Sequence, residues 1–216
     1  MLDNIYYLSL VITFVCGLSV YKKLDKGFKL LVLYMGFSIA YEFASAQGWT
    51  MWRRTNATCN NFEGIIEFCV FTYFMASLVK KSRDQKKIYL VAAVVLSLSF
   101  VDMLFIQGFL KRNTIAEIAN CLYLLTLICI YYYNLFDEAE ESIVLLKSPS
   151  FLAATGLFFY IASKSFFYSC FSYMAYKNNY HFYILASIIP VIANLFLNVL
   201  LIMAFLYSLN SRKLSL

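Results

Sequence analysis

The sequence predicts an all-α polytopic membrane protein, a single bundle of seven transmembrane helices with its N-terminus outside and its C-terminus inside. Three observations carry this. The 216 residues divide into seven apolar runs of helical length. The composition is 62% hydrophobic and only 14% charged, where soluble domains run near ~45–50% apolar and ~25% charged. The Lys and Arg residues gather in alternate connections between the runs, the pattern that sets orientation in a bilayer.

The runs cover 4–21, 29–48, 61–79, 88–107, 115–136, 151–174 and 182–208, each near the ~20 residues a bilayer-spanning helix needs. The first is preceded by Asp3 and followed by Lys22 and Lys23. A secretory signal carries its positive charge on the other side, so this run is expected to be a retained helix that starts outside. In the second run Gly36, Ala40 and Ala44 recur every four residues, as do Ser38 and Glu42. Small residues at that spacing predict a close approach to a neighbouring helix. Glu63 and Glu67 interrupt the start of the third run, and losing that span would reverse everything after it.

Loop charges test that point independently. On the predicted inner side lie Lys22, Lys23, Lys26 and Lys29, then Lys80, Lys81, Arg83, Lys86 and Lys87, then Lys147, Arg212 and Lys213, twelve of the eighteen basic residues. Five lie outside: Arg53, Arg54, Lys111, Arg112 and Lys177. The bias follows the positive-inside rule with all seven spans counted. Aromatic residues agree, with Trp49 and Trp52 at the outer level and Tyr21, Tyr89 and Tyr131–Tyr133 at the inner one. Such rings collect at the two membrane interfaces. The connection 137–150 is the only one with room for a partner-binding segment or a short interfacial helix.

Several function classes drop out. The net charge of +6 sits in short loops, which argues against nucleic acid. Five of the six cysteines lie in apolar runs, Cys59 alone lies in a loop, and no pair has metal-ligand spacing. His181 is the sole histidine, which disfavours zinc hydrolases and histidine-dependent intramembrane proteases. No nucleophile, base and acid recur at a recognisable spacing, so the chain is expected not to be an enzyme and to need no cofactor or metal.

What remains is a polar set inside the spans. Lys164 lies near the middle of the sixth run, where a charge costs at least ~2.5–3.5 kcal/mol on insertion scales. Glu42, Glu67 and Asp102 lie in three other spans, and at 1.5 Å per residue all four charges fall about 3–7 Å outward of the midplane. Asn120 and Asn194 lie near the same level, with Asn198 a turn further in. Glu63 stands one helical turn above Glu67, and Glu117 one turn above Asn120 and Cys121.

One consequence is plain helix packing, with Lys164 paired to one carboxylate. The other is a water-accessible outward pocket made by Lys164, Asp102, Glu67, Glu42, Asn120 and Asn194, able to bind a small cationic or zwitterionic ligand or to exchange a proton. Asp102 and Glu67 are the expected partners of Lys164. Pro190, four residues before Asn194, is expected to kink the seventh helix.

Two stretches resemble a family. Ser148-Pro149-Ser150-Phe151 leading to Gly156 and Tyr160 resembles the start of the sixth span of uncharacterised bacterial seven-helix integral membrane proteins. The run YKKLDKGFKLLVLYMGFSIAYE, with Lys22, Lys23, Lys29 and Glu42, resembles their second span. The Trp that often follows the Phe in that pattern is Leu152 here. The resemblance covers about a third of the chain and implies the topology and a bacterial inner membrane, with no assigned activity to carry over.

The functional expectation is a sensor or receptor-like protein in the lipid bilayer that binds its ligand outside and signals through a separate cytoplasmic protein, since few residues follow Leu209. The alternative is a small-solute or proton-coupled carrier or channel. Sugar carriers of the SWEET type share the topology, but the two halves here show no repeat. A retinal protein would need its Schiff-base lysine in the seventh run, which has none.

Overall fold

A computed structural model describes residues 2–79, 81–137, 145–177 and 180–211. Among them are seven α-helices: α1 (Leu2–Val20), α2 (Lys26–Ala46), α3 (Ala57–Ser77), α4 (Ser82–Val101), α5 (Thr114–Asp137), α6 (Pro149–Lys177) and α7 (Tyr180–Ser211). All but α3 are long and apolar enough to cross a membrane. In α3 the polar residues Asn60, Asn61, Glu63 and Glu67 dilute the apolar run.

Local chemistry sets the boundaries. α2 stops where Gly48 takes a left-handed φ of 74°, with Gly48 N–H donating to the Ser45 carbonyl and Trp49 N–H to that of Ala44. This is the Schellman arrangement, which glycine adopts without a Cβ penalty. α3 begins at Ala57, earlier than the expected 61, and draws Cys59 out of the loop into its first turn. Ahead of it Arg53 and Arg54 both have positive φ, and Trp52 and Thr55 exchange backbone hydrogen bonds across them. α4 runs into a wider π-helical turn, Asp102–Ile106. α6 begins with Pro149 in its first position, where its missing N–H costs nothing, and Ser148 Oγ accepts from Phe151 N–H at 3.4 Å. Of the long connection before it, Leu145–Lys147 forms a 3₁₀ turn; the acidic run beyond Asp137 lies outside the described residues.

The helices pack as a closed ring, α1–α2–α3–α5–α6–α7 and back to α1, with α6 against α7 the largest contact. α4 lies outside that ring against α3 and α5. The arrangement explains the apolarity ranking. α3 is buried on much of its circumference and can hold carboxylates, whereas α4 presents Leu90, Val94, Leu98 and Val101 outward.

The ring interior differs at its two ends. Where α1 ends, α2 starts, and α3 and α7 end, it is filled by Phe28, Phe74 and Phe205, all 5% exposed or less. Phe28 meets the other two edge-on, at 5.2 and 6.1 Å. In lipid, apolar contact between helices gains little by leaving its solvent, so close approach and dispersion hold such a plug. Close approach is visible at Gly156 of α6, where an added Cβ would lie 3.2 Å from Leu197 Cα of α7. The expected small-residue face of α2 is realised only in part. Gly36 packs on the Phe14 ring of α1, but Ala40 is exposed.

Candidate functional site

At the opposite end of the ring the interior is polar. Lys164 of α6 donates to Glu67 Oε1 of α3 at 2.6 Å, and its Nζ lies 3.2 Å from Glu117 Oε2 of α5. All three residues are buried. The second Glu67 oxygen accepts from the hydroxyls of Tyr34 on α2 and Tyr160 on α6, each at 2.9 Å. The Tyr34 hydroxyl also lies 3.0 Å from Glu63 Oε1. One lysine and one glutamate thus join α2, α3, α5 and α6. An ion pair out of water is tolerable only when remaining lone pairs find hydrogen bonds, and here both oxygens of Glu67 have them.

This network borders a cavity of about 440 Å³. Its deep wall includes buried Leu10, Phe71 and Leu197, and its rim includes exposed Asn56 and Tyr183. α2 supplies Tyr34, Ser38, Tyr41, Glu42 and Ser45; α6 supplies Tyr160, Lys164, Phe167 and Tyr168; α7 supplies Tyr183, Ser187, Pro190, Val191 and Asn194. These fall at offsets of 0, 4, 7 and 8 on each helix, with 11 added on α2 and α7, the single face a 3.6-residue period predicts. Glu42 Oε1 accepts from Tyr6 of α1 at 3.2 Å, and the Tyr41 hydroxyl donates to Asn60 Oδ1. At the rim the Arg112 guanidinium donates to the Tyr168 hydroxyl at 3.0 Å and lies over the rings of Tyr168 and Phe171, 5.3 and 5.9 Å from their centroids.

The expected site residues divide. Lys164, Glu42 and Asn194 line the cavity, and Glu67 holds Lys164 at its edge. Asp102 is not the partner of Lys164. It stands at the α4 end of the bundle, and its Oδ2 accepts from the Ala116 N–H in the first turn of α5 at 3.2 Å, so it caps a helix. The place given to Asp102 belongs to Glu117. The expected depths of Asp102 and Lys164 differ by only about 4 Å, and depth alone does not tell which side of a helix faces inward.

Asn120 is likewise structural: its Oδ1 accepts from Ser99 Oγ at 3.1 Å, joining α5 to α4. Asn198 donates to Ser9 Oγ at 3.0 Å and to Asn194 Oδ1 at 3.3 Å, which ties α7 to α1 below the cavity. Tyr34, Tyr160 and Tyr168 were not among the expected site residues, yet they meet Glu67 and Arg112 here. Arg112 itself was expected only as a loop charge. The polar stripe on each of α2, α6 and α7 was the signal that could have found them.

No protein-family model matches the chain, and no curated protein or solved structure matches it either.

Proposed function

We propose that the protein spans the membrane seven times, N-terminus outside, and is a receptor-like sensor that binds a small cationic or zwitterionic ligand in its outer cavity and reports to a cytoplasmic protein. The observation that carries this reading is the one-ended cavity: a polar chamber floored by the Lys164–Glu67–Glu117 network above an interior filled by Phe28, Phe74 and Phe205. A chamber of this size suits a small ligand. A packed far end suits binding more than a continuous path.

The topology has its own support. α3 carries the chain between the ends that hold Arg53 and Lys81, and it sits within the ring rather than beside it. With α3 counted, basic residues concentrate at the plugged end, and exposed Trp49 and Trp52 mark the cavity end as an interface. The two motifs that resemble bacterial seven-helix proteins support a bacterial cytoplasmic membrane as its location.

A carrier is the second reading, favoured by Pro190, which lies in α7 on the cavity wall. Its ring leaves the Ala186 carbonyl without a helical donor, a place where α7 can bend.

Thermal unfolding of the purified protein against amines, amino acids and sugars tests the reading, because a ligand stabilises by RT ln(1 + [L]/Kd). A stabilising compound that liposomes containing the protein do not accumulate supports the receptor. Accumulation of that compound overturns the receptor in favour of the carrier. Impermeant maleimide should label Arg53→Cys from outside and Arg83→Cys only after permeabilisation; the reverse overturns the orientation.

A further inference from the structure

Two opposite charges face the cavity without a close ion pair among the described residues. Arg112 is one. Its guanidinium has five N–H donors, yet among the described residues it makes a single hydrogen bond, to the neutral Tyr168 hydroxyl. Its Nε is buried with no acceptor, and among the described residues no carboxylate lies within ion-pair distance of it. The rings of Tyr168 and Phe171 stabilise the cation through their faces but offer no acceptor in its plane.

Glu63 is the other. Its one hydrogen bond among the described residues is to Tyr34, whose single hydroxyl proton is shared with Glu67. The nearby lysine cannot serve it, because Lys164 is already held by Glu67 at 2.6 Å and Glu117 at 3.2 Å. Both Glu63 and Arg112 line the same cavity and form no ion pair with each other. A bare amine would answer Glu63 and leave the guanidinium unmatched. A bare carboxylate would answer Arg112 and meet the field of Glu63 and Glu42. A molecule carrying both charges answers both and adds no net charge to a low-dielectric site.

We propose that the cavity binds a zwitterion end to end, its ammonium against Glu63 among the rings of Tyr6 and Tyr41 and its carboxylate against the Arg112 fork. This rests on the ligand-binding reading above and assigns the ligand its chemical class. Planar guanidinium matches carboxylate with two parallel hydrogen bonds, which makes Arg112 the group that selects a zwitterion over an amine.

The test uses the full chain in nanodiscs and isothermal titration with straight-chain ω-amino acids of one to six methylenes, beside the n-alkylamine and n-alkylcarboxylate of each length. One narrow range of lengths should bind at least about tenfold tighter than either matched half, the effect of a charge-assisted hydrogen-bond pair. Arg112→Gln should erase that advantage and leave amine binding unchanged, while Glu63→Gln should weaken amine and zwitterion together. Arg112→Lys, which keeps the charge and loses the fork, should recover only part of the advantage. Unfolding midpoints without ligand identify any variant that fails to fold, and Arg112→Lys then stands in for Arg112→Gln.

Amines that bind as tightly as the zwitterions overturn the proposal, as does Arg112→Gln with full zwitterion affinity. No binding across the whole series overturns it too, while a hit among the sugars would keep a receptor and change its ligand to a neutral one. A zwitterion that binds and is carried into liposomes keeps the ligand class and removes the receptor.

Discussion

Lys164 of α6 and Glu67 of α3 lie 97 positions apart in the chain and 2.6 Å apart in the structure. Glu117 of α5 approaches the same ammonium at 3.2 Å, so a single cation joins three members of the helical ring. Removing it strands two buried carboxylates. Lys164→Met is expected to lower unfolding stability in detergent by about 3–5 kcal/mol. Lys177→Met, at the exposed end of the same helix, should stay within about 0.5 kcal/mol of the parent. Equal losses in denaturant titration would take Lys164 out of its central position.

The two carboxylates around Lys164 are not equivalent. Glu67 accepts from Lys164, Tyr34 and Tyr160, whereas among the described residues Glu117 has the lysine alone. Glu67→Gln is therefore expected to cost about 3–5 kcal/mol and Glu117→Gln about 1–3 kcal/mol. The double variant Lys164→Met with Glu67→Gln should lose less than the sum, by about 1–3 kcal/mol, since each single change already breaks the shared pair. Additive losses in that cycle would show that the two side chains act independently.

Gly64 faces the Glu117 carboxylate so closely that an added Cβ would collide with its Oε1. Gly64→Ala should push Glu117 away from Lys164 and cost about 1–3 kcal/mol. Glu117→Ala in the same chain should absorb most of that cost, because the obstructing side chain is then gone. If Gly64→Ala is as harmful in the Glu117→Ala background as in the parent, the collision is not its cause.

Asp102 tests the separation of the capping carboxylate from the cavity. Its Oδ1 is buried with no partner among the described residues, while Oδ2 serves the Ala116 N–H. Asp102→Asn keeps an acceptor for that N–H and should change stability by less than about 1 kcal/mol, whereas Asp102→Ala strands the donor and should cost about 1–3 kcal/mol. Ligand-induced stabilisation should be the same in Asp102→Asn as in the parent. Its loss there would return Asp102 to the binding site.

Much of the architecture was legible before any coordinates. Apolar run length is a one-dimensional property, and the seven helices fall close to the seven runs because a span of fixed thickness needs a fixed number of residues. The layer of charges was legible for the same reason: axial depth follows from counting at 1.5 Å per residue. Lys164, Glu67, Glu42 and Asn194 were found at the cavity in this way.

Azimuth and neighbour choice were not legible. Depth placed Asp102 in the layer of Lys164 and Glu117 a turn above it, but only the packing of α4 outside the ring turned Asp102 toward the first turn of α5 and left Glu117 to face Lys164. In lipid every outward face is apolar whichever neighbour a helix chooses, so hydropathy carries no record of the ring order. By itself the sequence determined how many helices form and roughly where each one lies in the chain. The tertiary structure alone decided which charges meet, because contact between distant helices depends on rotation and packing that no local pattern encodes.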